Sequence, residues 1–454
     1  METREMKLMR WVLLPLALIL IIGSVSAYGQ AAGSERTVPT IDAADQLVII
    51  DSITNALDEI YIFPEVAEKM EKYLRKQYKD KKYKDLTDLN SFTEKLTEDM
   101  REISHDLHLW TSFLPADQIT QDDRDTLTDE EQLAVLKREL EYGNYSFETV
   151  ERLPGNVGYL KMNGFRDATL AGPTAIAALN FLAYCDALII DLRDNGGGSP
   201  SMIQLISSYF FDEPKHLNSF YVRKEDTTQQ FWTQAYVVGP RMSDVDLYVL
   251  TSSYTFSAAE EFTYNLKNME RATIVGETTG GGAHPVTRRR FSNLNVVVSL
   301  PYGRAINPIS GTNWEGTGVE PDIKTTNDKA LDVAYSEALK KLLDNETNER
   351  IKNDRTWHLT TLEARLNPME LSEDALKEYV GTYGPRKVTL ENGELYYQRD
   401  DRPKYKMIPM AKDLFGFNDL DYFRARFERD ETGIIIKYVG VYDSGHTDEN
   451  LKDN

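Results

Sequence analysis

The sequence predicts a mixed α/β protein with a helical segment before its core and a small all-β segment after it. Between residues 143 and 343, apolar strands alternate with helical stretches, a rhythm typical of a largely parallel sheet buried on both faces. Residues 41–115 instead show apolar stripes at helical spacing. Residues 373–454 carry short alternating or aromatic runs, and Asn392-Gly393 between two of them is a strong hairpin signal.

The composition limits the classes of function. The chain has 454 residues, enough for roughly three domains, and its 41% hydrophobic and 28% charged content is ordinary for a soluble globular protein. Its formal net charge of −21 argues against binding to a nucleic-acid backbone, which needs a basic face. The phosphate-binding patterns G-x-x-x-x-G-K-[ST] and G-x-G-x-x-G are absent from the sequence. We therefore expect no nucleic-acid partner and no cofactor.

The N-terminus carries the pattern of a secretory signal peptide over residues 1–27. Lys7 and Arg10 precede an apolar run over residues 11–22, and small residues follow it. The run is short for a membrane span and contains Pro15, so an uncleaved membrane anchor is the less favoured alternative. We expect an exported protein, periplasmic or extracellular, without a stable membrane span after processing.

The first domain, residues 41–115, is predicted to be a three-helix bundle. Ile50 and Leu57 fall on one face of the first helix, and Pro64 ends that segment. The next two helices show similar apolar stripes, and the third begins at a capping box over residues 91–94.

The second domain, residues 143–343, is predicted to hold the sheet. We expect strands at residues 157–162, 187–192, 247–250 and 272–275, and helices at residues 173–184, 199–211, 258–268 and 329–343. A polar, charged linker from residue 344 to about 372 leads to the third domain, residues 373–454, which is expected to form a barrel or a curved sheet. The single cysteine, Cys185, is expected to be a small buried hydrophobe.

Ser257 lies where a predicted strand turns into a predicted helix. A hydroxyl at such an elbow is exposed beside the helix's first free N–H groups and its positive dipole end. That arrangement suits the nucleophile of an acyl-transfer reaction. Ser257 and Glu260 also fit an S-x-x-E capping box, in which the hydroxyl is bonded to a backbone N–H and does no chemistry. Both interpretations stay open from this segment alone.

A glycine-rich stretch, residues 191–198, leaves a second predicted strand. Gly196, Gly197 and Gly198 permit unusual dihedral angles and bring backbone N–H groups close to a ligand. The stretch therefore predicts an oxyanion or peptide-backbone site, with a simple tight turn as the alternative.

Two further segments carry candidate proton-transfer groups. His105 and His108 flank Asp106 after the third helix, and His108 as a general base is favoured over a metal site because no further ligand cluster has the right spacing. A buried structural histidine is the alternative. Glu315, in a glycine-rich loop, is placed to orient an imidazole, or it is a plain surface acid.

Together, these segments resemble the tail-specific (C-terminal processing) serine protease superfamily, in particular the branch resembling interphotoreceptor retinoid-binding protein and the tricorn protease core. The motifs that carry the resemblance occur in order at residues 61–65, 106–109, 153–160, 191–198, 255–260, 276–282 and 314–322. The resemblance implies a crotonase- or ClpP-like core and a serine endopeptidase with polypeptide substrates and no metal. It also implies site residues: Ser257 as nucleophile, His108 as base, Glu315 as its partner, and Gly196, Gly197 and Ala258 as oxyanion or substrate-binding groups.

The chain departs from the family pattern at two positions. Gly282 stands where the Ser–Lys branch has its lysine, which excludes that dyad unless another lysine reaches the site. Leu107 stands where the tricorn pattern has a helper serine. His284, beside the Gly280–Gly282 stretch, is a rival base. The alternative function is a non-proteolytic protein that binds an apolar ligand or a peptide on the same scaffold.

Overall fold

The structure is a computed structural model, and it describes residues 38–115 and 129–453. The predicted signal peptide lies outside the described residues. No helix within the described ranges combines the length and apolarity that a membrane crossing requires.

Three helices begin the described chain, at the places that the apolar stripes predict: α1 (Ala43–Ile60), α2 (Pro64–Lys79) and α3 (Leu89–Ser104). They share their core with a three-stranded sheet of order β1-β10-β9, made of β1 (Trp110–Phe113), β9 (Val286–Phe291) and β10 (Val296–Pro301). Val296, Val298 and Leu300 of β10 are fully buried among the helices' apolar side chains. The helical segment is therefore not a self-contained bundle, because part of its core comes from far along the chain.

The central sheet has six strands in the order β12-β8-β7-β4-β3-β2, and only β2 runs antiparallel to its neighbour. Its strands are β2 (Phe147–Leu153), β3 (Val157–Met162), β4 (Ala187–Asp191), β7 (Asp246–Thr251), β8 (Thr273–Gly276) and β12 (Ile323–Lys324). In β4, Leu188 and Ile190 face one apolar layer while Ala187 and Ile189 face another, which explains why the whole strand is apolar. The mixed α/β class is confirmed, and the crotonase- or ClpP-like topology stays a prediction.

Helices cover both faces of the central sheet. Three of them, α5 (Ala168–Leu182), α6 (Pro200–Ser207) and α7 (Ala258–Asn268), pack on one face, and α8 (Ala330–Asp344) packs on the other. Helix α5 begins five residues before the predicted start, because the Asp167 carboxylate caps it and Pro173 is accommodated inside it. Cys185 is buried, as expected.

The remaining described elements include several that the sequence did not predict. A small sheet of order β11-β5-β6 is built from β5 (His216–Val222), β6 (Thr227–Trp232) and β11 (Gly303–Ile306), and α4 (Asp129–Tyr142) precedes β2. The predicted linker contains an 18-residue helix, α9 (Glu349–Leu366). The sequence predicts no helix in this polar, charged linker, because the few buried side chains of α9, Arg355, Trp357 and Leu362, are too sparse to form an apolar stripe.

The C-terminal segment is an eight-stranded antiparallel sheet in which each strand pairs with the next. A short helix, α10 (Glu373–Lys377), precedes its strands β13 (Gly381–Tyr383), β14 (Arg386–Glu391), β15 (Glu394–Arg399), β16 (Tyr405–Ala411), β17 (Leu414–Phe417), β18 (Phe423–Arg429), β19 (Ile435–Tyr442) and β20 (Thr447–Leu451). The Asp453 N–H donates to the Thr382 carbonyl at 2.9 Å, so the last segment returns to the first strand. The all-β prediction is confirmed, and the sheet is barrel-like.

Candidate active site

Three loops of the candidate site leave one edge of the central sheet. Strands β4, β7 and β8 are parallel neighbours, so their carboxyl ends lie together. The stretches with Gly196–Gly198, Ser257 and Gly280–Gly282 follow these ends directly. Open α/β sheets bind their ligands at the carboxyl ends of their strands, which is where these three loops meet.

Ser257 occupies a strained elbow between β7 and α7. Its dihedral angles, φ 55° and ψ −120°, are ones that residues with a side chain rarely adopt. The turn is fixed from beneath, because Thr255 Oγ1 donates to the Leu192 carbonyl at 2.8 Å and the Phe256 N–H donates to the Asn195 carbonyl at 3.1 Å. The elbow is thus bound to the glycine-rich stretch beside it.

Glu260 ties the elbow to the Gly280–Gly282 stretch. Its carboxylate is fully buried and accepts from the N–H groups of Ser257 at 2.9 Å, Gly281 at 2.7 Å and Gly282 at 2.8 Å, and from the Thr279 hydroxyl. Burial raises the pKa of Glu260, while these hydrogen bonds favour its charged form. Ser257 and Glu260 form a capping box at the start of α7, in which the serine N–H donates to the glutamate and the Glu260 N–H faces the serine side chain.

The glycine-rich stretch lies directly against the elbow. A Cβ atom on Gly197, whose φ is +102°, would lie 2.8 Å from Ser257 Cβ and 2.9 Å from the Ala258 nitrogen. The Gly197 N–H donates to Asn195 Oδ1 at 2.9 Å, so this predicted oxyanion donor is engaged within its own turn. In the described part of the chain, the N–H groups of Gly198 and Ala258 have no hydrogen-bond acceptor.

His108 lies beside the residue that precedes Ser257. Because β1 pairs with β10, the chain just before β1 is carried to the elbow. The His108 ring centroid is 4.6 Å from that of Phe256, and a Cβ atom on Gly282 would lie 2.6 Å from His108 Cε1. Position 282 therefore has no space for the lysine of the Ser–Lys branch.

The imidazole of His108 is buried and electrically neutral near pH 7. Burial lowers the pKa of His108 to about 4, although Asp106 opposes the shift. A neutral imidazole is the form that accepts a proton. Among the described residues, nothing is hydrogen-bonded to His108 Nδ1, and no hydrogen bond joins His108 to the Ser257 hydroxyl.

Glu315 contacts His284 and the loop that carries it. One carboxylate oxygen, Oε2, accepts from the Ala283 N–H at 2.6 Å and lies 3.5 Å from His284 Nδ1. The other oxygen, Oε1, is buried without a hydrogen-bond partner in the described ranges. Burial, with the charge of Asp106, raises the pKa of Glu315 to about 7. The structure thus brings Glu315 to the rival base His284, and no hydrogen bond between described residues joins it to His108.

Asp106 and its partner His284 form a pair that sequence reasoning missed. Asp106 Oδ2 lies 2.7 Å from His284 Nδ1, and Asp106 Oδ1 accepts from the His108 N–H at 3.0 Å. The sequence suggested Asp106 only as a metal ligand beside His105, but His105 is exposed at the end of α3. No local pattern signals the pair, because its members are 178 positions apart.

Asp106, His284 and Glu315 together offer three ligand atoms within 4.8 Å of one another, a set that also suits a metal ion. The 2.7 Å separation within the Asp106–His284 pair is that of a charge-assisted hydrogen bond.

Two regions of the chain match described protein families. Residues 156–325 match "Peptidase family S41", and residues 42–142 match "N-terminal domain of Peptidase_S41 in eukaryotic IRBP". Among curated proteins, a "Probable CtpA-like serine protease" of Staphylococcus epidermidis is 23% identical over 264 residues, which cover 57% of this chain and 51% of that protein. A protein of the same description from Staphylococcus haemolyticus is 26% identical over 172 residues, which cover 37% of this chain and 33% of that protein. The chain therefore spans about half or less of the length of these relatives.

Two solved structures are similar to part of this chain. The photosystem II D1 C-terminal processing protease is 24% identical with a TM-score of 0.32, and the match covers 38% of this chain and 43% of that one. The tricorn protease is 13% identical with a TM-score of 0.44, and the match covers 67% of this chain and 37% of that one.

Proposed function

Because this chain belongs to peptidase family S41, we propose that it is a serine endopeptidase that hydrolyses polypeptides through Ser257, His108 and Glu315. The observation that carries the proposal is the elbow. Ser257 has a strained backbone at the start of α7, and a buried neutral imidazole packs on the preceding residue. Strain of this kind is kept where the surrounding structure serves a function.

The proposed reaction begins with attack of Ser257 Oγ on the scissile carbonyl carbon. His108 takes the hydroxyl proton and then donates it to the leaving amine, which forms an acyl-enzyme. Water, deprotonated by the same imidazole, hydrolyses that ester and restores the serine. The lowered pKa of His108 supports this role, because the base is unprotonated at neutral pH.

The tetrahedral oxyanion is stabilised by amides at the start of α7 and in the glycine-rich stretch. The Ala258 N–H supports this role, since it lies at the positive end of the helix dipole without an acceptor among the described residues. Gly196 and Gly197 border the same space. For the Gly197 N–H to serve as a donor, its bond to Asn195 must be exchanged, whereas the Gly198 N–H is free of such a bond in the described chain. Removal of one oxyanion donor costs about 2.7–4 kcal/mol of barrier.

Glu315 stabilises the His108 cation in the proposed reaction. Its support is that His108 Nδ1 and Glu315 Oε1 are both buried without partners in the described structure, while both side chains contact the Gly282-Ala283 segment. Buried polar atoms are costly to leave unpaired. In the substrate-bound site the two atoms are joined, directly or through a water molecule.

Hydrolysis of an unfolded polypeptide tests this function. Wild-type protein and Ser257→Ala are compared on a casein-like substrate, with Ser253→Ala as the matched control because Ser253 is an exposed serine of the same turn. We expect Ser257→Ala to lose hydrolysis and Ser253→Ala to keep it. Turnover by Ser257→Ala at the wild-type rate would refute the assignment, and an inactive wild type that binds apolar ligands would favour the carrier alternative.

We also propose that the protein is exported. The support is the pattern of Lys7, Arg10 and the apolar run over residues 11–22, all of which lie outside the described residues. N-terminal sequencing of the protein from the exported fraction should begin just after Ala27. Intact protein that begins at Met1 in the cytosolic fraction would contradict export.

A further inference from the structure

A buried ion cluster lies behind the predicted base. His284 Nδ1 is 2.7 Å from Asp106 Oδ2 and 3.5 Å from Glu315 Oε2. The side chains of His284 and Asp106 are 5% and 1% exposed, so water screens their charges poorly. Glu315 has a role in the proposed reaction, whereas His284 and Asp106 have none there.

The charges of this cluster balance if Glu315 is protonated or if a cation stands between the two carboxylates. The nearest ligand atoms of Asp106 and Glu315 are within 4.8 Å of each other. Two buried carboxylates this close do not both ionise unless a positive charge or a proton compensates them. An imidazolium at His284 supplies that charge and favours the ionised form of Glu315, against the burial that raises the pKa of Glu315 to about 7.

The cluster also joins the loops that carry the predicted triad. Asp106 Oδ1 accepts a hydrogen bond from the His108 N–H at 3.0 Å, and Glu315 Oε2 accepts one from the Ala283 N–H at 2.6 Å. The His284 ring is fixed from its other side by Phe63 of the helical segment, with centroids 5.5 Å apart. Loss of the central charge therefore affects both the His108 loop and the Glu315 loop.

We propose that His284 is a positioning residue whose imidazolium ion, held between Asp106 and Glu315, keeps Glu315 ionised and aligned with the His108 loop. This inference rests on the proposed function, because Glu315 acts through His108 there. His284 touches neither the substrate nor the reacting atoms.

The charges around His284 favour the protonated, charged form of its imidazole. Burial works to lower the pKa of His284, but its hydrogen bond with Asp106 and the charges of Asp106 and Glu315 outweigh burial and raise that pKa. Arg304 opposes the rise, and His108 and Tyr61 are the other titratable groups that face the cluster. Since the charged form prevails below a raised pKa, the cation is lost only as pH rises through it, and activity should fall on that alkaline side.

The variant His284→Asn tests the charge separately from the hydrogen bond, because the asparagine amide takes the place of Nδ1. We expect kcat to fall roughly 100-fold, as for a displaced catalytic group. The single variant leaves two carboxylates without the imidazolium between them. The double variant Asp106→Asn/His284→Asn leaves only the Glu315 carboxylate, which restores the wild-type net charge of −1, so its kcat should exceed that of the single variant. His216→Asn, remote from the cluster and stacked on Trp232, is the matched control and should match wild type.

A titration that needs no turnover separates this inference from the proposed function. In the Ser257→Ala background, carbon-13 NMR of labelled glutamate carboxylates follows Glu315, assigned by its loss in Glu315→Gln. We expect His284→Asn to raise the pKa of Glu315 and the added Asp106→Asn to lower it again. An unchanged Glu315 pKa, or a double variant no more active than the single one, would overturn the inference. A wild-type protein that hydrolyses nothing would sink the proposed function, while this titration would still report on the cluster.

Discussion

The His108 ring packs 4.6 Å from the Phe256 ring, one residue before the elbow serine. The contact joins the helical segment to the carboxyl edge of the central sheet. β1 begins two residues after His108 and pairs with β10, and β10 pairs in turn with β9, which follows the Gly280–Gly282 stretch beside the elbow. The helical segment therefore supplies part of the candidate active site.

The fit of Gly197 against the elbow predicts that Gly197→Ala loses most of its activity. A Cβ atom there would lie 2.8 Å from Ser257 Cβ and 2.9 Å from the Phe256 carbonyl oxygen, so the elbow or the glycine turn must shift. A displacement near 1 Å costs roughly 100-fold in rate. Peptidase assays of the purified variant measure this loss.

Gly311→Ala is the matched control for Gly197→Ala. Gly311 also has positive φ, +68°, but in the described structure its Cβ atom would meet nothing within 4 Å. The control should lose stability, by about 1–3 kcal/mol, and keep its activity. Equal rates for the two variants would show that close packing at Gly197 does not matter.

The buried Glu260 carboxylate predicts a large stability loss in Glu260→Gln. The carboxylate accepts from three backbone N–H groups and a hydroxyl, and an amide presents its own NH₂ group to some of these donors. We expect the free energy of unfolding to fall by about 2–4 kcal/mol, from one or two donors left unpaired. Urea denaturation measures it.

Glu320→Gln serves as the control, because Glu320 is an exposed acid paired with Lys324. Its loss should stay within about 1 kcal/mol. If Glu260→Gln unfolded at the same urea concentration as the control, Glu260 would not tie the elbow to the Gly280–Gly282 stretch.

The buried neutral His108 predicts a specific pH dependence of stability. Its pKa is lowered to about 4 in the folded chain from 6.5 in the unfolded chain, so between these values the unfolded state binds more protons. This residue's contribution to stability is therefore complete above pH 6.5 and is lost as pH falls toward 4. Comparison of unfolding free energies of wild type and His108→Asn across this range isolates the contribution. An identical pH dependence in the two proteins would mean that His108 titrates normally.

The sequence predicts the parts of the site that depend on local order. Ser257 follows an apolar strand and precedes a helix within a dozen residues, so its elbow is readable from the strand–turn–helix pattern. The glycine-rich stretch after β4 is readable for the same reason. The all-β C-terminal segment is signalled by short alternating runs and by the hairpin turn at Asn392-Gly393.

The sequence does not predict the parts that depend on distant pairing. The Asp106–His284 bond requires β1 to lie against β10, and nothing in the sequence near Asp106 specifies that register. Helix α9 was not predicted because only a few separate side chains, such as Trp357, pack it against the rest of the protein. The Arg424 guanidinium lies 3.7 Å from the centre of the Trp357 ring.

The central claim, that His108 activates Ser257, is tested most directly by the rate at which a fluorophosphonate probe labels Ser257. An unactivated serine does not react with such a probe, so labelling reports the activated hydroxyl without any knowledge of the natural substrate. We predict that wild-type protein is labelled at Ser257 and that His108→Ala is labelled slower by orders of magnitude. A wild type that resists the probe, or a His108→Ala variant labelled as fast as wild type, would contradict the account.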